Sequence, residues 1–119
     1  MQRNMETVRS MLIDFSQGKG RRRFERNEED LEYIYHLDIL KQAGFISFRH
    51  ADTFEGRILY EVPQLTWSGN DYLDAISDET VWKKTKEGIK EKGLELTNVP
   101  FNLLKDYAIV VLKQKLGIE

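Results

Sequence analysis

The sequence predicts an α+β domain, mainly helical, in which two helices, one β-hairpin and three further helices follow in order. Three observations carry this. Apolar residues recur at spacings of three and four over most of the chain. One pair of short β-rich runs flanks an Asp-Thr-Phe-Glu-Gly reversal at 52–56, and residues suited to helix ends fall between the periodic segments. With 119 residues, 40% of them hydrophobic and 32% charged, the chain is expected to form one domain over residues 1–119.

The first helix is expected from about Met5 to Phe15, because Met5, Val8, Met11, Leu12 and Phe15 fall on one stripe. Asn4 supplies its cap, and Gly18 and Gly20 break it. The segment after it is a loop or short strand. A second helix starts at the cap Asn27, where Glu28, Glu29 and Asp30 suit the positive end of the helix dipole. Leu31, Ile34, Leu37 and Leu40 give it one apolar face, and Gly44 stops it. Phe45 to Arg49 reads as a strand, the reversal places His50 near the turn, and Ile58 to Val62 returns as the second strand, with Pro63 ending it or lying on an edge.

Thr66 or Ser68 caps a helix carrying Trp67, Tyr72, Leu73 and Ile76. Ser77 or Asp78 starts the next, through Val81, Trp82, Thr85 and Ile89 to Gly93. Pro100 suits the first turn of the last helix, with Phe101, Leu104, Ala108, Val111 and Leu112 on one stripe and Leu103, Ile109 and Val110 outside it. That girth exceeds what one surface helix needs, so the last helix is the expected site of a homodimer interface through Phe101, Leu104, Ala108, Val111 and Leu112. Trp67, Tyr72, Leu73, Ile76 and Trp82 are expected to pack the extension against the hairpin. The order of elements is that of a winged-helix domain: a winged-helix-like core over 1–66 with a β-hairpin wing, and a C-terminal helical extension over 67–119 packed on it.

Charge is close to balanced, 18 basic against 20 acidic residues, so strong nonspecific nucleic-acid binding is not the default reading. The distribution is uneven. Every arginine lies at or before Arg57, and Lys19 to Arg26 holds five basic residues against Glu25. The absence of cysteine excludes disulfides and thiolate chemistry. The longest apolar run, Ala108 to Leu112, is far too short for a membrane span, and the opening Met1 to Glu6 lacks a signal-peptide stretch, so a cytoplasmic protein is expected.

No motif carries catalysis, and the expectation is a protein that is not an enzyme, with no cofactor and no metal. Gly18-Lys19-Gly20 lacks the Lys-Ser/Thr ending of a phosphate loop, and Trp67-Ser68-Gly69 lacks the glycine that precedes a nucleophilic serine. His36 and His50 are too few for a zinc site without carboxylates, so solvated or core-edge positions are expected for both. Asp71, Asp74 and Asp78 share a helical spacing that suits a hard cation, but a water-facing acidic side, with Asp78 capping the next helix, is the better expectation.

Two readings compete for the arginines. Arg21, Arg22 and Arg23, with Arg49 and Arg57 on the hairpin, form a candidate nucleic-acid surface, since guanidinium forks match phosphates. Against it stands the start of the second helix, Glu28-Glu29-Asp30-Leu31-Glu32, whose carboxylates would meet both phosphate rails if that helix entered a major groove. The favoured expectation is therefore a protein partner, another chain or a second copy, with a nucleic-acid-binding regulator as the alternative.

The blocks Tyr35 to Ile46, Leu65 to Ile76 and Asp78-Glu79-Thr80-Val81-Trp82, together with the opening Met5 to Ile13, resemble domain-of-unknown-function family 2513, small proteins of bacteria, phages and prophages. The resemblance implies a winged-helix-like fold and a mobile-element context, and it brings no activity, cofactor or catalytic residue. The Arg21–Arg23 cluster departs from the family pattern.

Overall fold

The computed structural model describes residues 1–118 and is α+β, mainly helical, with five α-helices and small antiparallel sheets among the described residues. Two compact units are present, one over Met1–Asn70 and one beginning at Asp71. In the first, α1 (Met5–Ser16) leads to β1 (Arg23–Glu25), α2 (Glu28–Gln42), β2 (Ile46–Ser47), β3 (His50–Thr53), β4 (Gly56–Leu59) and β5 (Gln64–Leu65). Then come α3 (Trp67–Ile76), α4 (Glu79–Glu91), a 3-10 turn at Leu96–Asn98 and α5 (Phe101–Leu116).

The expected α1 stripe is the buried one: Met5, Val8, Met11, Leu12 and Phe15. The Asn4 side chain accepts the amides of Glu6 and Thr7, which satisfies two of the orphan donors at the helix start. α2 starts as expected at Asn27, whose side chain accepts the Asp30 amide at 2.8 Å. Its buried face differs from the apolar one expected. Leu37 and Leu40 are buried, but Leu31 is exposed and Asp30 and His36 are buried instead. The reason is that both polar groups have distant partners. His36 lies inside, neither solvated nor at the core edge: its Nε2 accepts the Asn4 amide at 2.9 Å and its Nδ1 faces the Glu32 carbonyl at 2.8 Å. A carbonyl only accepts and an amide only donates, so the ring is the neutral tautomer with its proton on Nδ1.

The hairpin is displaced from its expected position. β3 and β4 pair as His50↔Leu59, Ala51↔Ile58, Asp52↔Arg57 and Thr53↔Gly56, so Phe54 and Glu55 alone form the loop. His50 is therefore at the far end of its strand from the turn. Phe45 to Arg49 does not belong to this hairpin, because Ile46 and Ser47 pair instead with Leu65 and Gln64. β1 completes a three-stranded sheet of order β1-β4-β3, through Arg23↔Ile58, Phe24↔Arg57 and Glu25↔Gly56. Gly56 is required where it stands. Its φ of +152° is rarely adopted by other residues, and a Cβ there would overlap the Phe24 carbonyl. Phe24 is buried beneath the sheet, stacked on Tyr33 of α2 with ring centroids 5.1 Å apart. Burial pushes the Tyr33 hydroxyl up to about 12, with the Asp14 carboxylate adding to it.

Thr66, one of the two expected caps, accepts the Gly69 amide at the start of α3. Trp67 does not pack: it is 91% exposed. In the second unit α4 buries Val81, Trp82, Thr85 and Ile89, as its periodicity requires, and Asp78 caps it through the Val81 amide. α4 packs closely on α5, because Gly88 leaves room for the Tyr107 hydroxyl, which a Cβ would strike. α5 buries Leu104, Ala108 and Val111. Three of the five residues expected at a dimer interface therefore lie inside the fold. Leu103 and Val110, outside the expected stripe, are the exposed apolar side chains of that helix, with Leu116 at its end.

Candidate functional site

The five arginines singled out in the sequence do not form one positive face. Arg57, on the central strand β4, points inward with its side chain 10% exposed. It donates from Nη1 to Asp38 at 2.6 Å and from Nε to Asp52 at 2.7 Å, so one cation faces two carboxylates. Burial alone would lower its pKa, but the hydrogen bonds and the charges of Asp38 and Asp52 together outweigh burial and raise it. Asp52 is held below its ordinary range, chiefly by the Arg57 bond.

Arg21 is neutralised in turn by Asp30. Two parallel bonds of 2.9 and 3.0 Å join the guanidinium to the carboxylate, whose side chain is 7% exposed. The same carboxylate accepts the Glu25 amide at 2.8 Å, and Arg21 also donates to the Arg23 carbonyl. Hydrogen bonding to Arg21, then to Glu25, holds the Asp30 carboxyl below the usual range. One of the four carboxylates expected to repel a polyanion at the start of α2 is thus turned inward and paired. Glu28, Glu29 and Glu32 remain exposed.

Arg22 and Arg49 converge on Tyr60. Arg22 donates from Nε to the Leu59 carbonyl at 3.2 Å and from Nη2 to the Tyr60 carbonyl at 2.9 Å. Arg49 lies over the Tyr60 ring, 5.9 Å from its centroid, and its carbonyl accepts the Tyr60 amide. Glu61 pairs with Arg49 through Nε at 3.3 Å and Nη2 at 3.2 Å and also accepts the Arg49 amide at 3.0 Å. Those bonds hold Glu61 below the usual carboxylate range. Arg23 is exposed beside this group and lines a cleft of about 430 Å³ with Arg21, Arg22, Ile58 and Leu59.

The turn end of the hairpin has a different character. Phe54 is 95% exposed at the tip. The turn beneath it is fixed by Arg26, which donates from Nε to the Phe54 carbonyl at 2.8 Å and from Nη2 to the Thr53 carbonyl at 3.0 Å. Thr53 closes the loop by accepting the Gly56 amide and donating to the Gly56 carbonyl. A cleft of about 490 Å³ at this end is lined by Glu25, Glu29 and Glu55, by Arg23, and by the paired Arg21, Asp30 and Arg57. Phe54, Tyr60, Arg26 and Glu61 were not singled out by sequence. The available signal was the phenylalanine in the reversal, where turn chemistry favours small or polar residues.

The aspartates at 71 and 78 are engaged by lysines, Asp71 with Lys105 and Asp78 with Lys115, while Asp78 also caps α4. No helix among the described residues is long and apolar enough to cross a membrane.

The comparisons with known proteins agree with the resemblance in the sequence blocks. Residues 2–95 match the family described as hypothetical protein DUF2513. The chain belongs to that family. An uncharacterized protein of Haemophilus influenzae is 31% identical over 98% of this chain and 100% of its own length. No solved structure matches. The family match ends before α5, whereas the Haemophilus relative aligns over nearly the whole chain.

Proposed function

We propose that this DUF2513 protein is a non-catalytic, winged-helix-like module of a phage or other mobile element that works by binding another protein. The carrying observation is Phe54, a large aromatic held out on a turn whose carbonyls are clamped by Arg26. Binding energy concentrates in aromatic anchors, and one carried on a fixed backbone loses less entropy on docking than one on a free loop. The adjacent cleft sets Glu25, Glu29 and Glu55 against Arg23, its other arginines being paired with aspartates, and that excess of acid favours a partner pocket with a basic rim. The winged-helix reading draws on the sheet order, in which the strand before α2 pairs with the returning strand of the hairpin. A duplex-reading regulator built on all five arginines is disfavoured, because Arg21 and Arg57 are neutralised within the fold.

Self-association through α5 would use Leu103 and Val110 rather than Leu104, Ala108 and Val111. A photo-crosslinking amino acid at position 54, compared with one at position 83, tests the main reading in the native host. Discrete protein adducts at 54 and none at 83 are expected. Equal labelling at both positions would count against the Phe54 anchor, and sedimentation of the purified chain shows whether the partner is a second copy.

A further inference from the structure

The open end of the hairpin supports a second, independent function. We infer that Tyr60, Arg22 and Arg49 form a binding site for a short single-stranded nucleic-acid segment, with the Glu61 carboxylate as an internal competitor for the phosphate. Tyr60 is 53% exposed, with one guanidinium bonded to its carbonyl and another over its ring. A base has a flat π-face, and an exposed tyrosine next to arginines is the combination that stacks a base while holding its phosphate.

Arg22 is the fixed donor. Its two partners, the carbonyls of Leu59 and Tyr60, orient the guanidinium without cancelling its charge. Two of its N–H groups are used, which leaves the other donors of the fork for an anion. Arg49 is different: Glu61 occupies it with two side-chain bonds and takes its backbone amide as well. That carboxylate collects the donors a phosphate oxygen would use. An incoming phosphate must displace Glu61 or share Arg49 with it, so Glu61 sets the affinity.

Two features select a single strand over a duplex. A stacking ring needs an unpaired base. In addition, the turn end of the same hairpin, three residue steps or about 10 Å along the strand, carries Glu25, Glu29 and Glu55 against Arg23 and Arg26, an excess of acid once Arg21 and Arg57 are paired with aspartates. A duplex lying along the sheet would set phosphates against those carboxylates.

Fluorescence anisotropy with short labelled oligo-dT and oligo-U strands, and with a duplex of equal length, tests the inference. Both Arg22→Gln and Tyr60→Ala should weaken single-strand binding about tenfold, whereas Glu61→Gln should tighten it severalfold. The dependence of log K on log salt should have a slope of about −1.4 for two phosphate contacts, shallower by about 0.7 in Arg22→Gln. Lys83→Gln, a charge-matched change in α4, should leave binding unaltered, and thermal melts report whether each variant is folded. The ratio of oligo-dT to oligo-U affinity tells DNA from RNA as the natural strand. No binding of either strand at low salt, duplex binding as tight as single-strand binding, or a Glu61→Gln variant that binds no tighter would each overturn the inference.

Discussion

The two ends of the hairpin each set one arginine against carboxylate and tie another to carbonyls, but they present different rings, Phe54 at the turn and Tyr60 at the open end. Towards the turn, Arg57 is turned inward between Asp38 and Asp52, and Arg26 is tied to the carbonyls of Thr53 and Phe54. At the open end Arg49 is paired with Glu61 and Arg22 is tied to carbonyls, beside an exposed tyrosine. A guanidinium facing carboxylates adds little to the outer field, whereas one facing carbonyls keeps its charge and gains a fixed direction. Counting arginines in the chain therefore says little about where a polyanion can settle. The acceptor opposite each one decides.

Removing the scaffold common to both ends should have the largest effect. Gly56→Ala forces a side chain into a backbone conformation that disfavours it and against the Phe24 carbonyl, and is expected to cost about 3 kcal/mol of stability in urea unfolding. A loss below 1 kcal/mol would mean that β1 moves aside easily. Arg57→Gln separates the ends: it removes the inward cation and should cost about 2 kcal/mol, while the Arg22–Tyr60 bonds are retained. Hydrogen exchange at the Tyr60 amide, close to that of the native protein in this variant, would mark the open end as self-supporting.

The smallest effect is acidification, and its sign follows from the pairs. Asp30, Asp52 and Glu61 titrate below their ordinary values because arginines bind their charged forms. Each therefore contributes stability that is complete above the unfolded value, 4.5 for Glu and 3.8 for Asp, and that fades as the pH falls below it towards the folded value. Asp78, held low by Lys115 and the Val81 amide, adds to the same trend; the urea midpoint should drop over that interval, and less steeply in Asp30→Asn, which has lost one of the four groups. An unchanged slope would show that the Arg21–Asp30 pair is no stronger in the folded chain than in the unfolded one.

Local chemistry made several elements readable in advance. α1 and α4 bury the stripes their spacing marks, and Asn4, Asn27 and Asp78 cap the helices that follow them. What escaped reading depends on partners remote in sequence. Asp30 is buried because Arg21 reaches it, and His36 because the Asn4 amide does, so polar residues replaced Leu31 on the inner face of α2. The strand limits shifted for a related reason. A two-residue loop fixes pairing from Thr53↔Gly56 outward, and Ile46 found its partner in Leu65 beyond the hairpin. Within the arginine set, the pairing choices that define the candidate sites were invisible, because Asp30, Asp38, Asp52 and Glu61 are all plausible neighbours until the sheet is assembled.

The Arg21–Asp30 pair has one more consequence. β1 is an outer strand of its sheet, and the Glu25 amide and Arg23 carbonyl are already taken by Asp30 and Arg21. A foreign strand approaching that border finds those hydrogen-bonding positions occupied by side chains, so chain-to-chain sheet growth, the usual route from a bare strand border to aggregates, is blocked there.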